Sequence, residues 1–404
     1  MTCKINADTT DGLKIVSDTS GAVDIQSNGT TKVSIDSSGN ISTVAGMSTS
    51  NGNIAPLRPN AKPLIINGDM NIAQRATSVT GSTAGGYTTV DRMLLSIGTL
   101  GTWTIAQTAS APDDTGLVNS YRVDCTTADA SPAAGDIAIL STRLEGQDVQ
   151  LFKKGTSYAE KMTVSFWVKS NKTGTYIMEL DDNDNARNIN QAYTISSANT
   201  WEKKVLSFAG DTTGAFGNDN GSSLQLLWWL GAGSNFTSGS LQTAWAATDN
   251  TKRAVNQVNL GDNTANDWSI TGIQLEVGEY DATTIPSFQH ESFGDNLLRC
   301  QRYCRQHTKD MDYQGVMMGF AQDTGQCRAL MYHKPQMRAT PTITKSGDFI
   351  RSHGSAAALN FSVATNGRDT ASIDWASSGI FLNGQGVLIT FKTGSAYIRA
   401  DAEL

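Results

Sequence analysis

Alternation of apolar and polar positions is the clearest pattern in the chain. In Met162-Thr163-Val164-Ser165-Phe166-Trp167-Val168-Lys169, positions 162, 164, 166 and 168 form one apolar face. That period of two predicts a half-buried strand. Trp201–Phe208 shows the same period more weakly, and Thr102–Gln107, Tyr121–Asp124, Asp136–Arg143, Lys161–Lys169, Gly174–Leu180, Ser223–Leu230 and Trp268–Glu276 are further strand candidates. No helical pattern separates them. Short strands spaced by turn residues predict an all-β, two-sheet sandwich, with a jelly roll as the most economical form. A parallel α/β fold needs helices between its strands, and the pattern holds none there.

The first forty residues read differently. Gly12, Gly21, Gly29 and Gly39 punctuate the short runs Leu13-Lys14-Ile15-Val16, Val23-Asp24-Ile25 and Val33-Ser34-Ile35, followed by Ile41. Each run is too short to bury a core alone. Several identical chains wrapped about one axis supply the missing core, so a repetitive β shaft and a homotrimer are expected. The alternative is a hairpin pair leading into a globular domain. Ser, Thr, Gly and Asn, then Pro56, Pro59 and Pro63, mark a linker.

Leu297, Cys300, Tyr303 and Cys304 form an apolar stripe at helical spacing, which predicts a helix over 295–306 with Asp295 as its N-cap. Beyond it the pattern returns to strands at Gly315–Ala321, Gln326–Met331, Thr340–Lys345, Ala358–Val363, Ser372–Trp375 and Gly386–Thr390. The expected organisation is a shaft over 1–41, a linker over 42–63, a jelly-roll-like sandwich over 64–293, a connecting helix over 294–308 and a small C-terminal β domain over 309–404.

Composition narrows the partners. Only 17% of the 404 residues are charged, 39% are hydrophobic, and the formal net charge is -7. An acidic chain has no electrostatic reason to bind nucleic acid or to dock on anionic lipid. No stretch is long and apolar enough to predict membrane insertion. Asp8, Asp11 and Asp18 interrupt any signal-peptide core in residues 1–20, which predicts synthesis in a cytoplasm without ordinary export. The five cysteines, at 3, 125, 300, 304 and 327, are odd in number and scattered, which argues against a disulfide framework.

Two blocks carry a family resemblance. Leu64-Ile65-Ile66-Asn67-Gly68-Asp69-Met70-Asn71-Ile72-Ala73-Gln74-Arg75 is followed by Tyr87-Thr88-Thr89-Val90-Asp91-Arg92-Met93. Ile273–Gly278, Phe288–Phe293, Cys300–Tyr303 and Met337–Thr342 continue the order. Together these resemble a domain of bacteriophage tail fibre and receptor-binding proteins, and the N-terminal runs resemble fibre shaft segments. The resemblance implies a homotrimeric fibre with a sandwich similar to carbohydrate-binding modules. It implies localisation in the virion, an N-terminal contact with a tail, baseplate or adaptor protein, and host surface glycan or lipopolysaccharide as ligand. A head fibre or other virion structural protein is the alternative, and a capsule depolymerase the third. Residues 1–60 are expected at the particle and the loops near 346–386 at the distal end.

Candidate chemistry is sparse. Sugar sites combine aromatic faces with polar side chains. Trp228, Trp229 and Trp245 are the first candidates, one of the adjacent pair being expected to face outward; Trp375 and Phe381 at the C-terminal end are the next. Trp103, Trp167 and Trp201 read as core. Asp181-Asp182-Asn183-Asp184-Asn185 offers oxygen ligands for calcium but lacks the glycine and distal glutamate of an EF-hand loop. Cys300, Cys304 and His307, with Cys327 and His333, form a zinc set on paper only. No nucleophile, carboxylate pair or phosphate loop stands out, so no enzyme activity and no cofactor are expected. Arg75 and Arg92 are expected to pair with Asp69 and Asp91 and brace the domain.

Overall fold

The computed structural model describes residues 23–27, 29–35, 37, 41–43, 47–49, 52–54, 62–311, 313–352, 358–392 and 395–404. The chain divides into two compact units, Met1–Ala61 and Lys62–Leu404.

In the first unit, Val23–Ser27, Thr30–Ile35 and Ile41–Thr43 form a three-stranded antiparallel sheet. Gly29 turns the first hairpin at φ 71°, in the left-handed region that glycine enters without strain. Val23 pairs with Ile35, and Ile25 with Val33. Ile25 is still 53% exposed, so this sheet buries little by itself. Met47–Thr49 and Gly52–Ile54 form a hairpin inside the segment read as a linker. The run Leu13–Val16 lies outside the described residues.

The second unit opens with a two-sheet, jelly-roll-like sandwich. One sheet has six strands in the order Glu202–Phe208, Met162–Ser170, Asp267–Val277, Ser120–Thr127, Thr102–Thr108, Ser78–Ser82. The other has seven, in the order Ala246–Ala247, Arg187–Ile195, Gly174–Asp182, Ser222–Ala232, Ile137–Glu145, Leu94–Gly98, Gly85–Gly86. Met162, Val164, Phe166 and Val168 are fully buried between the sheets, as their alternation predicts. Phe166 packs edge-on against Tyr193 and Trp228, with ring centroids 5.2 and 5.6 Å apart.

The Asn67-Gly68-Asp69 block makes a tight turn. Asn67, at φ 60°, donates its amide to the carbonyls of Ile72 and Asp91, both at 2.9 Å, and accepts from the Ile72 N–H. A Cβ on Gly68 would sit 2.2 Å from the Ile273 carbonyl oxygen, so only glycine lets this turn lie on the strand.

The predicted helix shifts toward its N-terminus. It spans Phe293–Gln301, and Ser292, not Asp295, is the N-cap. The Ser292 hydroxyl accepts from the Asp295 N–H at 3.1 Å and donates to its carboxylate at 2.8 Å, so Asp295 orients the capping hydroxyl. The chain then enters a strand at Cys304–Thr308. That strand, Tyr397–Asp401 and Thr342–Ser346 form a three-stranded sheet. A second C-terminal sheet has six strands, ordered Phe349–Arg351, Gly386–Phe391, Gly315–Ala321, Gln326–Tyr332, Thr370–Ala376, Asn360–Asn366.

Arg75 and Arg92 do brace the fold; the expected Arg75–Asp91 pair forms, while the other partners differ. Arg75 lies 3.7 Å from Asp91 but bonds Asp401 at 2.8 Å and Glu403 at 3.2 Å. Arg92 pairs with Glu403 and stacks 3.5 Å from the Tyr303 ring. Asp69 instead accepts from Asn71 and Asn296. Glu145, fully buried, takes two bonds from Arg302 at 2.7 Å and one from the Tyr303 hydroxyl at 2.6 Å. These pairs tie the end of the chain and the helix to the sandwich. Among the described residues, no helix is long and apolar enough to cross a membrane.

Candidate functional site

Four of the five aromatic candidates are buried. Trp228 and Trp229 do point to opposite faces of their strand. Trp228 enters the sandwich core, while Trp229 points out from the seven-stranded sheet. Both are 0% exposed, Trp229 because residues 233–258 fold over that outer face. Phe236, Leu241 and Ala254 cover Trp229 together with Ile139, Ile177 and Leu227. The Trp229 indole donates to Glu179 at 2.8 Å, and Arg253 bonds the same carboxylate at 2.8 Å. Burial pushes the Glu179 carboxyl up, against the pull of Arg253. Trp375 and Phe381 are also core, at 0% and 1%. Trp375 packs against Phe349 and Phe361, so neither aromatic forms an exposed C-terminal tip.

Trp245 is partly exposed but committed to a lid. Its indole donates to the Ala209 carbonyl at 2.7 Å, and its ring lies 5.2 Å from the Lys154 ammonium. That ammonium, at 0% exposure, meets the oxygen-rich run. Asp182 pairs with Lys154, and it also accepts from Asn185 and from the backbone N–H groups of Asp184 and Asn185. Lys154 further meets Asp211 at 3.1 Å and the carbonyls of Thr213 and Gly214 at 2.9 and 2.7 Å. Asp182, in the middle of the run proposed for calcium, is therefore neutralised by an internal ammonium, while Asp181 faces Arg253 at 3.8 Å and Asp184 accepts from the Gly217 N–H at 2.8 Å. Asp211 is held below the ordinary carboxylate range: burial acts upward, but bonds from Arg187, Thr213 and Lys154 outweigh it.

The zinc set does not assemble either. Among the described residues, no group of three or more His, Cys, Asp and Glu side chains is placed to hold a metal ion. Cys125, Cys300, Cys304 and Cys327 are free and buried. His307 is held down to about 4 by burial, with the charge of Arg305 adding to it.

The open face lies elsewhere. Trp167 and Trp201, read as core, are both partly exposed on the outer side of the six-stranded sheet. Trp167 sits opposite Lys203 on one side and Thr271 on the other. Lys169 places its ammonium 4.9 Å from the Trp201 ring and donates to Ser110 at 3.0 Å. Two indoles and two lysines thus alternate across the last two strands of the sheet. Burial lowers the Lys203 amine below the usual lysine value. Further along the same face, residues 278–290 form a roof: Thr163 donates to the Gly278 carbonyl at 2.8 Å and Gln274 to that of Pro286 at 3.1 Å. The roof stops short of the Trp/Lys group.

Gly272 shapes this face. It has φ 62°, and a Cβ there would lie 2.8 Å from Leu117 and 3.2 Å from Trp167. The signal for Trp167 was in the alternation: with 162, 164, 166 and 168 inward, 167 and 169 must face outward.

No protein-family model matches the chain, and neither does any curated protein sequence. Several solved structures match part of the chain at low similarity. The enzymatically active domain of tailspike protein 4 from bacteriophage CBA120 matches at 10% identity over 53% of this chain, with a TM-score of 0.29. The matched part spans 21% of that tailspike chain. The family 11 carbohydrate-binding module of a Clostridium thermocellum cellulosomal cellulase matches at 8% identity over 50% of this chain and 98% of its own, with a TM-score of 0.25. Discoidin II of Dictyostelium discoideum matches at 7% identity over 72% of this chain and 86% of its own, with a TM-score of 0.16. Scores of this size carry no inference about ligand or activity.

Proposed function

We propose that this chain is a non-catalytic attachment protein of a bacteriophage particle, a tail fibre that binds glycan or lipopolysaccharide on the host surface. The observation that carries the binding part is the partly exposed group of Trp167, Trp201, Lys169 and Lys203. Indole faces stack on the apolar faces of sugar rings, and flanking polar groups read hydroxyls. The two ammonium groups give this face a preference for saccharides that carry carboxylate or phosphate. The particle assignment rests on the repetitive N-terminal strands and the tail-fibre-like blocks. Weak single sites on several copies would add through multivalency. In this reading residues 1–60 contact the particle.

Titration of the protein with host surface polysaccharide tests the binding part. Trp167→Ala combined with Trp201→Ala is expected to weaken binding at least tenfold, about 1.4 kcal/mol, in a variant that stays folded. Equal affinity in the double variant refutes the site. Deleting 1–60 is expected to abolish incorporation into particles, and incorporation of the truncated chain refutes the polarity.

A second reading is a virion structural protein that binds no receptor. It is favoured by a large apolar face on the C-terminal domain, which suits assembly better than sugar binding. Particles lacking the protein would then adsorb to host cells normally.

A further inference from the structure

The C-terminal six-stranded sheet has one face packed and one bare. Its inner face holds Met317, Cys327, Ala329, Met331, Ile373, Trp375, Val387 and Ile389 in a buried core. Strand alternation then turns Met318, Phe320, Leu330, Tyr332 and Leu388 outward from three adjacent strands. Met318 pairs with Leu388 across one strand boundary. These five side chains are 77%, 69%, 46%, 58% and 39% exposed. Among the described residues no helix or second sheet covers them, unlike the outer face of the seven-stranded sandwich sheet. An open groove of about 520 Å³ runs along the face past His307 and Val316.

We propose that this face is the contact between copies of this chain. Taking roughly 200 Å² for each large side chain, the exposed fractions amount to roughly 600 Å² of apolar surface. That is the upper end of what a lone protein shows. With a polar rim it approaches the roughly 800 Å² per partner of a stable interface. The chemistry selects the partner. Met, Leu and Phe side chains dominate the centre, with no Asn, Asp or Gln among them to read sugar hydroxyls. Arg328, opposite Phe320 on this face, already pairs with Asp374 at 2.7 and 2.9 Å, and Arg305 at the end of the groove donates to the Lys334 carbonyl at 2.6 Å. With Arg328 neutralised by Asp374, two such faces meet apolar side to apolar side, as stacked sheets do. This contact stands apart from the glycan face and survives if that assignment fails.

Two measurements on the full chain test it together. The first is mass by light scattering, where an integral multiple of 43.1 kDa above one is expected. The second is maleimide labelling of Met318→Cys in a Cys3→Ser background, since the other four native cysteines are buried. Cysteine at 318 is expected to react at least 100-fold more slowly than cysteine at the exposed Ala282, and adding Phe320→Lys should restore fast labelling. A 43.1 kDa monomer overturns the proposal, whatever the labelling rate. An oligomer whose 318 thiol labels as fast as that at 282 also overturns it, because the copies then meet elsewhere. Slow labelling that persists with Phe320→Lys overturns it as well.

Discussion

Lys154→Met isolates the buried ammonium that stands among the acidic residues at one end of the sandwich. The methionine keeps most of the lysine stem, so packing changes little and the charge is lost. Asp182, 0% exposed, then loses its cation and keeps only amide donors. Asp211 keeps Arg187 at 2.7 Å and so is partly compensated. Breaking a buried pair by removing one partner costs about 3–5 kcal/mol. In a unit spanning Lys62–Leu404 each kcal/mol lowers Tm by about 1.4 °C, which predicts a fall of roughly 4–7 °C by calorimetry. The neighbour Lys153 supplies the control. Its pair with Glu160 is 2.6 Å long, but the side chains are 54% and 37% exposed, so Lys153→Met should cost no more than about 1 kcal/mol. A Tm for Lys154→Met within 2 °C of that control would refute the view that the ammonium neutralises this cluster.

Two further predictions follow from single sites. Gly272→Ala puts a methyl at φ 62° and against Leu117 and Trp167, so it should cost about 1–2 kcal/mol of stability and weaken polysaccharide binding; unchanged values for both would show the strand relaxes freely. His307, depressed to about 4 when folded, binds more protons unfolded between about 4 and 6.5. Its contribution is therefore present above pH 6.5 and lost as pH falls toward 4, up to roughly 3 kcal/mol, and His307→Asn should flatten the Tm profile in that window. An identical pH slope in the variant would count against it.

Local alternation was enough to read the strands with a regular apolar face. Met162–Ser170, Gly315–Ala321 and Gln326–Tyr332 emerge as expected because each position's neighbour in sequence sets which side it faces. Arg187–Ile195 escaped notice because Asn188 and Asn190 break its apolar period. Both are fully buried, and Gln242 meets their polar groups from a loop some fifty residues away, which no local pattern reveals. The helix start was legible in principle, since Ser292 and Asp295 have capping-box spacing.

The candidate site shows the same division. Parity along the strand puts Trp228 and Trp229 on opposite faces, and for Trp167 it points outward, against the expectation of a core residue. Parity cannot say whether an outward face meets water. The insertion at 233–258 folds back over Trp229, while the roof at 278–290 stops before Trp167 and Trp201. The same reasoning applies to Trp375, at the outer end of the chain in sequence yet sealed against Phe349 and Phe361. Residue type and spacing determined which side chains share a face. Only the tertiary structure decided which faces are covered, because a cover is built from segments distant in sequence whose contacts form when the whole chain packs.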